Sequence, residues 1–134
     1  MESIIRKIVL TSTIMLILSC STRSGEVTAL SSLEFYEQHF EAVQNGRLLL
    51  IDGRTDKMFS EGHIENAINI DADDENLQQL LEEHAGEPVI AVYCTTIRRT
   101  TKIVNTLLEF YTGEIIYIKD GITGWKANNL PVRQ

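Results

Sequence analysis

Cys94 is the residue around which a chemistry can be assembled. It follows Val89-Ile90-Ala91-Val92-Tyr93, an uninterrupted apolar, β-branched run that reads as a buried strand. It precedes Thr95-Thr96-Ile97-Arg98-Arg99, beyond which Thr100 or Thr101 is expected to open a helix. A loop from a strand end to a helix N-terminus turns backbone N–H groups and the positive end of the helix dipole toward one point. That is a cradle for an anion. A cysteine held in it is favoured as the thiolate, the form that attacks, and Arg98 and Arg99 add positive charge beside the sulfur. A buried structural cysteine, the commoner fate of a free thiol, requires neither the strand-end position nor the paired arginines. The chemistry expected is attack by sulfur on an anionic substrate.

The other polar candidates read as supports. Asp52 and Arg54 follow the apolar run Leu48-Leu49-Leu50-Ile51 and are expected to form a strand-end ion pair that shapes the site without reacting. His63 is expected to hold the Gly62 turn by a hydrogen bond, His39 and His84 to lie exposed on helices, and Trp125 to anchor the core. The acidic run Asp71, Asp73, Asp74 and Glu75 reads as a solvated loop and helix cap, because a calcium loop needs further oxygen ligands and a turn glycine. With two cysteines and no C-x-x-C, neither a metal nor an organic cofactor is indicated. Lys+Arg 12 against Asp+Glu 19 leaves a net charge of -7 over 134 residues. So acidic a surface cannot displace counterions from duplex phosphates, which argues against a nucleic-acid partner.

The elements that must position Cys94 are legible in outline. Ser31 and Glu34 have capping-box spacing, and Leu33, Tyr36, Phe40 and Val43 recur at helical spacing up to Asn45-Gly46. Strands are expected over 48–51, 67–70, 89–93 and 115–118, and helices over 76–84 and 121–128. Asp73 or Asp74 is the expected cap of the first of these helices, with Leu77, Leu80 and Leu81 turned inward. Another helix carries the stripe Ile103, Val104, Leu107, Leu108 and Tyr111. Apolar strands alternating with helices specify an α/β fold, a mostly parallel sheet covered by helices on both faces. In such sheets ligands bind beyond the carboxyl ends of the strands, where Cys94 falls.

Four segments resemble one family in order. Val92-Tyr93-Cys94 with Arg99-Thr100 resembles the active-site loop of rhodanese-type sulfurtransferases, in which arginine stands five residues after the cysteine, followed by Ser or Thr. Ile51-Asp52-Gly53-Arg54 is similar to the family's Asp-x-Arg strand end. Gly62-His63-Ile64 through Ala67-Ile68-Asn69-Ile70 resembles its Gly-His-Ile…Ala-x-Asn-Ile stretch. Gly121 to Trp125, with Leu130-Pro131-Val132, resembles its closing signature. The resemblance covers about residues 27–133 and implies a single rhodanese-like domain over 27–134. It implies a catalytic Cys94 that takes a sulfane sulfur from thiosulfate or a similar anion as a persulfide and passes it to cyanide, a thiol or a protein acceptor. It also implies that the backbone of Thr95, Thr96, Ile97, Arg98, Arg99 and Thr100 binds the donor, with Arg99 as the main grip and Thr100 donating its hydroxyl to the loop or capping the following helix. Where the family commonly has glycine, three residues after the cysteine, this chain has Ile97, which fits the loop only at negative φ.

Two other functions compete. A persulfide carrier or binding module without turnover would keep the same fold, and Ile97 favours it. Cysteine phosphatases and arsenate reductases on a related scaffold place arginine six residues after the cysteine, where this chain has Thr100. The shorter loop suits a sulfur atom better than a whole phosphate, an argument by analogy.

The N-terminus reads as an address. Arg6 and Lys7 precede an apolar-dominated run from Ile8 to Leu18 and then Ser19-Cys20, the pattern of an export signal and too short for a spanning helix. Ile17-Leu18-Ser19-Cys20 resembles a bacterial lipobox, which implies a signal peptide over 1–19 and lipidation of Cys20. Residues 20–26 then form a tether, and the protein is expected to be exported and lipid-anchored to a bacterial membrane, facing the periplasm or cell exterior. Cleavage would leave ten cations and eighteen acids, a charge of -8. One cysteine is thereby assigned to a lipid and the other to chemistry, and no disulfide is expected.

Overall fold

Apolar strands need cover on both faces, and the computed structural model, which describes residues 25–134, shows how they obtain it. The order is β1 (Val27–Leu30), α1 (Ser32–Gln44), β2 (Leu49–Asp52), α2 (Asp56–Ser60), β3 (His63–Ile64), β4 (Ile68–Asn69), α3 (Leu77–Glu82), β5 (Val89–Tyr93), α4 (Ile97–Leu108), β6 (Glu114–Ile118), α5 (Gly121–Ala127) and β7 (Val132–Arg133). Five strands pair in the order β1-β6-β5-β2-β4, every pairing parallel, while β3 and β7 form a small antiparallel pair.

Side-chain alternation along the strands divides the core in two. Leu50, Ala91, Tyr93, Ile116 and Ile118 join Phe35, Phe40 and Val43 of α1 and Ile122 and Trp125 of α5 on one face. Ile51, Ile90, Val92 and Ile115 join Leu77 and Leu81 of α3 and Ile103, Val104 and Leu107 of α4 on the other. Each fully buried aliphatic side chain contributes roughly 1.5–3 kcal/mol from removal of its surface from water. The fold is the α/β architecture read from the sequence.

The local differences have physical reasons. The capping box on α1 forms, with Glu34 N–H donating to Ser31 Oγ and Ser31 N–H to Glu34 Oε2. One position of the expected stripe differs: Leu33 is 44% exposed and Phe35 is buried, while Phe40 and Val43 are buried and Tyr36 packs against the core. Phe35 joins Tyr36 and Phe40 against Trp125. Asp74 accepts from Asn76 N–H and so shapes the turn ahead of α3, while Asn76 itself holds the cap position without a side-chain bond. Neither aspartate is the cap. Helix α4 starts at Ile97, ahead of the expected Thr100 or Thr101. Strands β1, β3 and β7 and helix α2 were too short to show a period in the sequence.

Connectivity creates the crevice. From β2 the chain moves outward to β4, then returns to β5 and moves the other way to β6. The direction reverses between β2 and β5, and the gap beyond their carboxyl ends is the place where such sheets bind ligands.

Candidate active site

Cys94 occupies that gap and is held there by backbone contacts. Tyr93 C=O accepts from Gly53 N–H at 2.8 Å, which ties the end of β5 to the residue after β2. Gly53 lets Ile103 pack closely, since a Cβ there would lie 2.6 Å from Ile103 Cδ1 and would push that side-chain tip aside. From the other flank, Cys94 C=O accepts from Ile122 N–H at 3.1 Å. This approach requires Gly121, whose φ is +55 and whose Cβ would overlap the Cys94 carbonyl. The turn carrying Gly121 is fixed in turn by Asp120, whose Oδ1 accepts both the N–H and the hydroxyl of buried Ser32 at 2.7 Å. Cys94 itself is 1% exposed.

The loop after Cys94 is shorter than expected and enters the helix at once. Thr96 is extended at the N-cap position and makes no side-chain cap. Ile97 is the first helical residue and is not among the residues at positive φ, so the departure from glycine imposes no backbone strain. Its side chain points outward, 58% exposed. The first N–H groups of a helix have no partner within it. Among the described residues, none accepts from the N–H groups of Thr95 through Arg99. They remain available, and they stand at the positive end of the α4 dipole. Thr100 is buried, and its hydroxyl donates to Thr96 C=O at 3.4 Å, bracing the loop.

A cleft of about 440 Å³ opens beside this loop, lined by Met58, Thr95, Thr96, Arg98 and Arg99. Both arginines are paired with Asp73, which the sequence places in a solvated acidic loop or at a helix cap. Asp73 Oδ2 lies 3.3 Å from Arg99 Nη2 and 3.7 Å from Arg98 Nη2, and Asp73 Oδ1 lies 3.4 Å from Lys102 Nζ. Partial desolvation opposes charge on Asp73, but Lys102, Arg98 and Arg99 outweigh it and hold the carboxyl below its ordinary range. Sequence separation hid the contact: nothing local links the loop after β4 to α4, and charge complementarity was the only available signal. The lining role of Met58 was missed for a similar reason, because α2 is a single short helix.

Asp52 and Arg54 form the expected ion pair, and it is wholly internal. Arg54 Nη2 donates to Asp52 Oδ2 at 2.7 Å, Arg54 Nε donates to Oδ1 at 3.0 Å, and Nη2 also reaches Gly62 C=O at 2.7 Å. Tyr93 hydroxyl donates to Asp52 Oδ2 at 2.6 Å and accepts from Ile64 N–H at 3.0 Å. Burial, then the Asp52 charge, pushes the Tyr93 hydroxyl far up, so it stays a donor. Burial disfavours the Arg54 charge, but Asp52 overcomes it and raises the group further. Arg54 is 4% exposed and committed to these partners. The pair therefore fixes β3 and the end of β2 around Tyr93, and leaves the anion cradle to Thr95 through Thr100.

His63 holds its turn as expected, with Nδ1 3.0 Å from Phe59 C=O and its ring stacked on Phe59. A carbonyl only accepts, so Nδ1 carries the proton. Trp125 is fully buried against Tyr36 and Phe40 and donates to Pro131 C=O at 2.8 Å. His39 is half-buried and stacked on Phe35, and His84 is half-buried in the turn after α3, so neither is exposed as expected. Cys20 lies outside the described residues.

A cysteine at the switch point of a parallel sheet, followed at once by a helix start whose first N–H groups have no partner among the described residues, is the arrangement this fold presents. The chain belongs to the rhodanese-like domain family, whose model matches residues 35–128. It is 26% identical over 97 residues to an uncharacterized protein of Buchnera aphidicola from Acyrthosiphon pisum, covering 71% of this chain and 67% of that one. It is 28% identical over 86 residues to the uncharacterized protein YibN of Escherichia coli, covering 63% of this chain and 59% of that one. Solved structures agree on the fold. A rhodanese-related protein from Thermoplasma volcanium superposes with TM-score 0.64 at 21% identity, covering 79% of this chain and 97% of that one. A protein from Rhodopseudomonas palustris described as a possible tyrosine phosphatase superposes with TM-score 0.68 at 13% identity, covering 80% and 85%.

Proposed function

We propose that the protein is a sulfurtransferase that carries a sulfane sulfur on Cys94. The observation behind this reading is the seat of Cys94 itself, at the end of a central strand and immediately before a helix start whose N–H groups from Thr95 to Arg99 have no partner among the described residues, with Arg99 at the cleft. In the first step the Cys94 thiolate attacks the outer sulfur of thiosulfate. The new S–S bond leaves a Cys94 persulfide anion, and the old S–S bond breaks to release sulfite with its electron pair. In the second step cyanide, or a thiolate acceptor, takes the terminal sulfur and returns the Cys94 thiolate. The loop N–H groups stabilise the persulfide anion, and the Arg99 guanidinium fork suits the paired oxygens of the donor. Thr100 braces the loop, and Asp52 and Arg54 hold Tyr93 beneath it.

The test is thiocyanate formation from thiosulfate and cyanide. Wild type is expected to turn over, and Cys94→Ala to fall to the uncatalysed rate. A second reading, a persulfide carrier without turnover, draws on the near-complete burial of Cys94 and on the engagement of both arginines by Asp73. It predicts a stable persulfide that no small acceptor discharges.

We also propose that Cys20 carries a lipid anchor on an exported protein. Residues 6–20 support this reading by their charge, length and apolar pattern. Gly25 precedes β1 and therefore enters at the amino edge of the parallel sheet, while Cys94 lies at its carboxyl edge. Gly25 and Cys94 thus lie toward opposite edges of the sheet. In cell fractionation wild type is expected in the membrane pellet and Cys20→Ser in the soluble fraction. Equal partition of the two proteins would contradict the anchor.

A further inference from the structure

We propose that Asp73 sets the charge selectivity of the Cys94 site. Its carboxylate occupies the arginine pair that an anionic sulfur donor needs, and so disfavours dianionic donors relative to donors of lower charge. The inference rests on the reading of Cys94 as a sulfur acceptor.

Asp73 is placed by backbone, not by chance. Ile70 N–H donates to Asp52 C=O and Ala72 N–H to Gly53 C=O, so the chain after β4 follows the end of β2 into the site. Asp73 N–H then donates to Asp71 Oδ1 at 2.9 Å, a local turn that presents the Asp73 side chain to α4. Among the described residues Asp73 is the only acid paired with Arg98 or Arg99, and both arginines also line the cleft beside the Cys94 loop.

The pairing is one that a ligand can displace. Its arginine contacts are 3.3 and 3.7 Å long, and the side chains of Arg98, Asp73 and Arg99 are 72%, 39% and 23% exposed. Open pairs of this kind contribute little to folding, so little is lost when an incoming anion replaces the carboxylate. What the anion must overcome is the fixed negative charge of Asp73, which cancels one of the three positive charges of Arg98, Arg99 and Lys102. Repulsion grows with the charge of the donor. Thiosulfate, a dianion, is therefore opposed more than a monoanionic thiosulfonate. Sulfur transfer from methanethiosulfonate balances in the same way as from thiosulfate: the thiolate takes the outer sulfur, and methanesulfinate leaves with the electron pair.

The test compares two alkylating reagents of similar size, anionic iodoacetate and neutral iodoacetamide, each replacing iodide at Cys94. The ratio of their rate constants reads charge at the sulfur, and a purely structural loss would move both rates together. Asp73→Asn is expected to raise the iodoacetate-to-iodoacetamide ratio about three- to fivefold at low salt. The gain should shrink at about 1 M salt, and Asp73→Glu should stay near wild type. The same variant should lower the KM for thiosulfate more than that for methanethiosulfonate. An unchanged or lowered ratio in Asp73→Asn overturns the proposal, as does an equal response in Asp73→Glu. Failure of both reagents to modify Cys94 in either protein also overturns it, since a site closed to so small a probe selects no donor. Intact mass after thiosulfate decides the sulfur-acceptor reading separately, because alkylation needs no sulfur transfer.

Discussion

Single residues around Cys94 divide into those that face the cleft and those that hold it from below. Thr95, Thr96, Arg98 and Arg99 line the cleft, whereas Asp52, Arg54 and Tyr93 form a closed hydrogen-bonded set with no access to it. A closed set of this kind is expected to act on stability. Removing one charge leaves the other buried and unpaired, so Asp52→Asn is expected to cost about 3–5 kcal/mol in unfolding free energy by urea denaturation. A loss under about 1 kcal/mol, the range of exposed pairs, would contradict the assignment. The location of the candidate site is legible in the sequence because a strand end, a cysteine and two arginines coincide within seven residues, from Cys94 to Thr100. Asp73 was not legible, because its partnership with Arg98, Arg99 and Lys102 exists only once β4 and α4 are brought together. Gly121 stood within a quoted motif, but that it is glycine because Cys94 C=O passes against it is visible only in the fold.

At the scale of elements, periodicity was reliable where the apolar pattern was long and unreliable at ends. The strand over 89–93 was bounded correctly because an apolar run stops at Cys94. The start of α4 was misplaced because Thr100 and Thr101 look like caps and because two arginines in a first turn oppose the helix dipole. That unfavourable placement sets two positive charges in the first turn of the helix that follows Cys94. Helix α1 illustrates the opposite case, a start encoded in four residues by Ser31 and Glu34. Backbone and side-chain bonds to Ser31 hold the Glu34 carboxyl below its ordinary range, against a small opposing effect of desolvation. A depressed carboxyl contributes stability above its unfolded value, near pH 4, and loses it as pH falls through the folded one. Unfolding free energy is therefore expected to fall more steeply below about pH 4 in wild type than in Glu34→Gln, followed by denaturant titrations across that range. Equal slopes would show that the capping box carries no proton linkage.

Across the whole molecule, parallel strands put every carboxyl end at one edge, and four separate chain segments converge there. The loop after β2 brings Gly53, the loop after β4 brings Asp73, the end of β5 brings Cys94, and the turn after β6 brings Gly121. This convergence is why a catalytic reading assembled from scattered short motifs resolves into one place. The family assignment fixes the fold, and the central claim proposed for this chain is that Cys94 takes and gives up a sulfur atom. Intact mass spectrometry of the purified protein after thiosulfate tests it most directly. The account predicts a gain of one sulfur atom in wild type, its loss on addition of cyanide, and no gain in Cys94→Ala. A wild-type mass unchanged by thiosulfate, or an equal gain in Cys94→Ala, would contradict it.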